Sequence, residues 1–267
     1  MFPRLIDFDV EFRGVELFLP SYGILFAGGA LIAWWWFVRR GRSLDVPEEQ
    51  LFNLSFYTLL AGIVGAKLTL VIVDWEDYLH HPELLLGTIR SAGVVIGGIV
   101  AGSLAFTFYA LRNKMPLHRL GDAIAAPLVL AQALGRLGCF CAGCCWGKEA
   151  TLGSRLAVVF TDPKAAAQTG VPLGVPLVPT QLLHLVSNLF LALLLTWLWR
   201  RRIKPAGTVF WIYVVLYSVS RGIIEFWRGD AQRGLYFDGA ISTSQILSLA
   251  GVLFGTAMLL LGRRREE

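Results

Sequence analysis

Seven stretches of this chain are each long and apolar enough to cross a lipid bilayer, and that removes most folds from consideration. About 20 apolar residues in helical form span the hydrocarbon core, where no water can satisfy an open backbone. The stretches run near Phe18 to Val38, Leu51 to Val73, Ala92 to Leu111, Gly121 to Cys139, Thr180 to Trp199, Ala206 to Trp227 and Ala240 to Gly262. Composition agrees, with 55% of residues hydrophobic against roughly 45–50% in an average soluble domain. The expectation is an all-α integral membrane protein of about seven transmembrane helices, one polytopic domain over residues 1–267 with a small external cap.

The cap is the single long insertion, residues 147–179, in which SRLAVVF alternates enough to form a short strand and GVPLGVPLVP reads as loop. Orientation follows from Lys and Arg in the short connections. One set of span ends carries Arg39, Arg40 and Arg42, then Arg112, Lys114 and Arg119, then Arg200, Arg201, Arg202 and Lys204, and finally Arg263, Arg264 and Arg265. The opposite set carries Arg4, Arg13, Arg90, Lys148, Arg155, Lys164, Arg228 and Arg233, spread over longer segments among acids. The first set is cytoplasmic by this bias, which puts the N-terminus outside and the C-terminus inside. The leader MFPRLIDFDVEF lacks an apolar run before a cleavage site and does not read as a signal peptide. A pI near 9.2 invites a nucleic-acid reading, but the basic residues mark helix ends and form no stripe interleaved with aromatics, so no nucleic-acid partner is expected. Trp34, Trp35, Trp36, Trp197 and Trp199 sit where interfacial anchors belong.

Charges within the spans are costly and select candidate site residues. Asp122, at a cytoplasmic helix end, reads as a capping residue. Lys67 lies about two turns from the outer interface, where snorkelling and a substrate contact are equally good readings. Arg136 lies about one turn from the outer end of the fourth span, beside all four cysteines of the chain: Cys139, Cys141, Cys144 and Cys145 in GRLGCFCAGCCWGK. In SRGIIEFWRGD, Arg221 and Glu225 are four apart and Glu225 and Arg228 three apart, so a continuous helix would set all three along one face. An ion-pair network is one reading. The other is anion capture, since two arginines around one carboxylate leave a positive excess, and guanidinium forks match phosphate.

The chain resembles the prolipoprotein diacylglyceryl transferase family in a series of fragments that appear in the family's order. These are PSYGILFAGG, GAKL, IGGIVAG, GRLGCFCAGCCWG, PTQLLH, RGIIEFWRGD and SQILSL, distributed over all seven expected spans. The resemblance implies a membrane enzyme that moves diacylglyceryl from phosphatidylglycerol to the lipobox cysteine of a preprolipoprotein signal peptide. The site would lie at the outer face of the cytoplasmic (inner) membrane, amid membrane lipids and with no cofactor. It further implies that Arg136 and Arg228 hold the phosphatidylglycerol head group, with Gly97, Gly98, Gly147 and Lys67 beside it, while Arg221 and Glu225 serve catalysis.

Five residues in three segments depart from the family pattern. Ile96 stands where a histidine or tyrosine is usual before the paired glycines. Leu183 and His184 replace the usual Tyr-Glu of the fifth span, and Cys139 and Cys144 replace the signature Asn and Glu of the fourth. With no imidazole in the third span, His184 is a candidate base beside Glu225. The cysteine spacing C-x-C-x-x-C-C could ligate zinc, but structural zinc sites generally pair two separated knuckles, so the sequence favours a disulfide or small-residue packing and no metal. A divergent paralogue with another acceptor, a transporter, or a non-catalytic lipid-binding protein are the alternatives. Charges clustered toward one face argue against a transport path.

Overall fold

A computed structural model describes residues 4–12, 15–81, 93–151, 154, 156–230, 234–236 and 241–263, with side chains described from residue 20 to 262. Of the charges used above for orientation, Arg13, Arg90, Arg155, Arg233, Arg264 and Arg265 lie outside the described residues, as do the side chains of Arg4 and Arg263.

The chain opens with an antiparallel hairpin, β1 (Arg4–Phe12) and β2 (Val15–Pro20). Helices α1 (Ser21–Arg42), α2 (Glu48–Val73), α3 (Trp75–His80), α4 (Val95–Arg112) and α5 (Leu117–Ala142) follow. The cap contributes β3 (Val158–Val159), α6 (Pro163–Thr169) and β4 (Pro176–Leu177), after which come α7 (Thr180–Arg200) and α8 (Thr208–Glu225). A short ladder of β5 (Leu235–Tyr236) and β6 (Ile241–Ser242) leads into α9 (Thr243–Arg263). Among the described residues, seven helices are long and apolar enough to cross a membrane, and they coincide with the seven expected stretches. The protein is thus an all-α multi-pass membrane protein. The chain divides into two compact units, Val38–Leu120 and the remainder, Met1–Phe37 with Gly121–Glu267.

Within Val38–Leu120, α2 and α4 meet along small residues. A Cβ on Gly98 would come within 2.9 Å of the Gly62 carbonyl, and one on Gly65 within 2.7 Å of the Gly97 carbonyl. A Cβ on Gly97 would collide with the Thr69 hydroxyl. In lipid, where apolar surface alone does not draw helices together, such close backbone approach supplies the packing energy. Gly97 and Gly98 therefore have a packing role in α2–α4 contact. Lys67 is half-buried on α2 and Ile96 is exposed in the first turn of α4.

In the other unit, α5, α7 and α8 enclose a core of Ala125, Ala126, Val129, Leu191, Ala192, Leu195, Val209 and Tyr213, and α9 packs on α8. Asp122 does cap a helix, but not its own. Its carboxylate accepts from the Gly207 and Phe210 backbone N–H groups at 2.7 and 2.9 Å, satisfying free donors at the start of α8. The cap has its own small core of Phe160, Ala165, Val171 and Leu177. Part of the segment expected as loop is ordered: Pro176–Leu177 pairs with Val158–Val159. Between these strands, Asp162 caps α6 through the Lys164 and Ala165 N–H groups, with Pro163 in the first turn and Gly170 in the left-handed conformation at the end.

Candidate active site at the ends of α5, α7 and α8

The stretch Gly135 to Lys148 is ordered by the way α5 stops. The Gly143 N–H donates to the Phe140 carbonyl at 3.3 Å and the Cys144 N–H to the Cys139 carbonyl at 3.1 Å, with Gly143 at φ 77°. These are the two bonds of a Schellman ending, which also brings the side chains of its first and last residues together. Those residues are Cys139 and Cys144. The next residue, Cys145, holds φ 60°, a conformation a side chain disfavours. Two α7 side chains secure it: Thr180 donates to the Cys145 carbonyl at 2.7 Å and Gln181 to the Cys144 carbonyl at 2.8 Å.

All four cysteines are free thiols in this structure, and backbone bonds hold the turn. The sulfurs of Cys139, Cys144 and Cys145 lie within 4.8 Å of one another. Cys141, two residues along the helix from Cys139, is outside that group. Hydrogen bonds from the Cys139 and Cys144 thiols, followed by the charges of Arg228 and Arg136, hold the Cys145 thiol below its ordinary value, although burial opposes this. The same thiol contacts push Cys144 upward.

Beyond the turn, the chain forms a strand-like layer against the end of α8. Lys148 donates its N–H to the Trp227 carbonyl at 2.7 Å, Gly229 to Trp146 at 3.1 Å and Val178 to Lys148 at 2.9 Å. Gly147 is wedged between two backbones: an added Cβ would meet the Val178 and Trp227 carbonyls. Its lack of a side chain serves this junction, where Gly147 bridges Arg228.

That layer also corrects the expected single helical face. Helix α8 ends at Glu225, so Arg228 lies past the helix and turns toward Asp230, whose two carboxylate oxygens accept from Nε and Nη2 at 2.7 and 2.5 Å. The Asp230 hydrogen bond keeps the Arg228 guanidinium more firmly charged than usual even though burial works against it. Arg221 keeps the expected ion pair with Glu225 and donates from Nη2 to the Ser244 hydroxyl at 2.7 Å. Ser244 is held in the first turn of α9 by a reciprocal cap, Gln245 accepting from the Ser242 N–H and Ser242 from the Gln245 N–H. The sequence reading passed over Ser244, although it lies in the quoted fragment SQILSL.

Each of these two arginines has a carboxylate of its own. Arg136 makes no hydrogen bond or ion pair among the described residues, and the ionisable groups acting on it are led by Tyr217, Cys145, Cys139 and Arg228. The positive excess of the site therefore resides on Arg136.

His184 is buried, and the charges of all three arginines act on it. Its Nε2 lies 3.4 Å from Arg221 Nη1. A guanidinium can only donate, so Nε2 presents its lone pair there and the ring proton is on Nδ1. In this contact Nε2 helps to orient Arg221. Further along the same face of α7, Asn188 is buried with neither amide atom hydrogen-bonded among the described residues. A membrane interior offers such a group no compensation except a polar guest or water.

A family model described as prolipoprotein diacylglyceryl transferase matches residues 10–261. The chain belongs to the prolipoprotein diacylglyceryl transferase family. It is 33% identical over 258 residues to phosphatidylglycerol–prolipoprotein diacylglyceryl transferase 2 of Clostridium perfringens (strain 13 / Type A), covering 95% of this chain and 96% of that one. A second relative, the phosphatidylglycerol–prolipoprotein diacylglyceryl transferase of Clostridium tetani, is 32% identical, with 96% of this chain and 98% of the relative covered. The corresponding protein of Dehalococcoides mccartyi strain 195 is 29% identical over 270 residues. The matched residues include the cap and the cysteine turn.

Proposed function

We infer that this transferase moves a diacylglyceryl group from phosphatidylglycerol to the lipobox cysteine of a preprolipoprotein, at the outer face of the cytoplasmic membrane. The observation that carries the reading is Arg136: a guanidinium without a carboxylate among the described residues, next to two arginines already paired. An unpaired cation near the membrane interior costs several kcal/mol, and a lipid phosphate is the anion that a membrane supplies there. Arg136 would take the phosphate by its planar fork, with Arg221 held ready by Glu225, Ser244 and His184. The buried amide of Asn188 is suited to a glycerol hydroxyl or ester carbonyl of the lipid.

In the reaction, the acceptor sulfur forms a bond to the terminal glyceryl carbon while the bond from that carbon to the phosphate oxygen breaks. The electron pair leaves with that oxygen as glycerol phosphate, and the thiol proton goes to solvent or a base. Negative charge grows on the departing phosphate, so donors placed beforehand stabilise the transition state more than the ground state. Reconstitution in phosphatidylglycerol vesicles with a lipobox peptide tests the assignment: the peptide should gain the mass of one diacylglyceryl group. An unmodified peptide alongside tightly bound phosphatidylglycerol would instead establish a lipid-binding protein without transfer.

A further inference from the structure

The described charges account for lipid capture but not for the nucleophile. A thiol attacks as thiolate, and among the described residues the imidazole that meets the arginines, His184, faces Arg221 through Nε2. Three free thiols do converge there. Cys139 and Cys144 are joined by the Schellman ending of α5, and Cys145 is fixed beside them in a disfavoured backbone conformation by Thr180. Disfavoured backbone that surroundings hold in place is characteristic of functional sites. Arg136, three residues before Cys139, ties this cluster to the phosphate end of the site.

We propose that Cys139, Cys144 and Cys145 bind one zinc ion, whose fourth position receives the acceptor cysteine as thiolate. Zinc–thiolate bonds of about 2.3 Å place tetrahedral sulfurs roughly 3.8 Å apart, so sulfurs already within 4.8 Å need to close by less than about 1 Å. Two knuckles are unnecessary, because one helix ending and one strained residue collect the three ligands. No fourth cysteine, histidine or carboxylate joins the group among the described residues, and Cys144 and Cys145 are partly exposed. Three protein ligands and an open position are the pattern of a catalytic zinc, not a structural one. Three thiolates leave the zinc complex at one negative charge and a bound acceptor thiolate makes it two. The Arg136 and Arg228 guanidiniums act on the Cys145 sulfur and ease part of that charge, although Arg228 is shared with Asp230 and Arg136 with the lipid phosphate. Binding deprotonates the acceptor thiol, its proton passing to solvent. Its sulfur then forms the carbon–sulfur bond as the carbon–oxygen bond breaks, and the thioether product, a weaker ligand, departs while zinc stays. No oxidant is required. Zinc would also keep three close thiols from oxidising on an exposed face.

The acceptor's place rests on the transfer reaction proposed above; the metal site does not. Full-length protein purified in detergent from zinc-containing medium should carry about one zinc per chain, by elemental mass spectrometry. Cys139→Ser, Cys144→Ser and Cys145→Ser should each lose it, whereas Cys141→Ser should keep it. Arg221→Ala should keep the zinc and lose transfer, which separates failure of the lipid assignment from failure of the metal assignment. Replacing zinc with cobalt should give sulfur-to-metal absorption that shifts when a lipobox peptide is added and does not shift with its Cys→Ser counterpart. Because a serine variant can misfold, chelation of the wild type followed by zinc re-addition should remove and restore transfer. A metal-free protein with reduced thiols, a disulfide among the three in protein isolated without reductant, or undiminished transfer after complete chelation would each overturn the proposal.

Discussion

Arg136 and Arg221 share a side chain but differ in what surrounds them, and that difference sets what each substitution should do. Among the described residues Arg136 has no carboxylate to strand, so Arg136→Ala should leave the folded protein intact. Transfer should fall about 10²–10³-fold, as for loss of one donor aimed at developing charge, measured as peptide mass gain per unit time. Arg136→Lys should recover only a small part, because an ammonium lacks the planar fork; wild-type rates in either variant would remove Arg136 from the phosphate site. Arg221→Ala differs, because it removes the ion-pair partner of the buried Glu225 carboxylate. Asn188 provides the converse case. Asn188→Leu replaces an unbonded buried amide with an apolar side chain, so stability should hold or rise. If the amide receives a polar group of the lipid, the KM for phosphatidylglycerol should increase while the melting temperature does not fall. An unchanged KM would leave Asn188 with water as its only partner.

At the level of elements, what the sequence showed and what it hid divide by range. The seven spans were legible because apolar length is a local property, and so was the Arg221–Glu225 pair, which needs only the helical repeat. Arg228 was misplaced because α8 stops at Glu225, and the cause is the distant segment Trp146–Lys148, which pairs with Trp227 and Gly229. The N-terminal hairpin had a local signal that went unread: IDFDVEF alternates apolar and acidic residues with the period of a strand. The Schellman ending could also have been anticipated from Gly143 after a long apolar run. Gly97 and Gly98, which the resemblance places beside the lipid, also let α2 and α4 approach. Asp122 was recognised as a cap, but which helix it caps depends on the fold. Asp122→Ala should therefore cost about 2–3 kcal/mol, since it strands two N–H groups that a carboxylate now satisfies, and the loss should appear as a lower melting temperature in detergent. An unaltered melting temperature would mean that water replaces the carboxylate at the start of α8.

For the whole molecule, function depends on which side of the membrane the arginines and thiols occupy. The basic span ends provide the orientation: Arg200 is in the last turn of α7, with Arg201 and Arg202 just beyond it. Moving such charges outward opposes the bias that sets topology. A single crossing, α7, separates them from the cap that precedes it, so two positions suffice for a test. Gln168, exposed at the end of α6, and Arg202, exposed after α7, should fall on opposite sides. Gln168→Cys should react with a membrane-impermeant maleimide in intact cells, whereas Arg202→Cys should react only after permeabilisation, with adducts assigned by peptide mass so that the native thiols can remain in place. The opposite pattern would put Arg136, Arg221 and the cysteine turn on the cytoplasmic side. The proposed function places the acceptor cysteine and the lipid at the outer face, so a cytoplasmic site would sink the transfer reading even with every distance in the site unchanged.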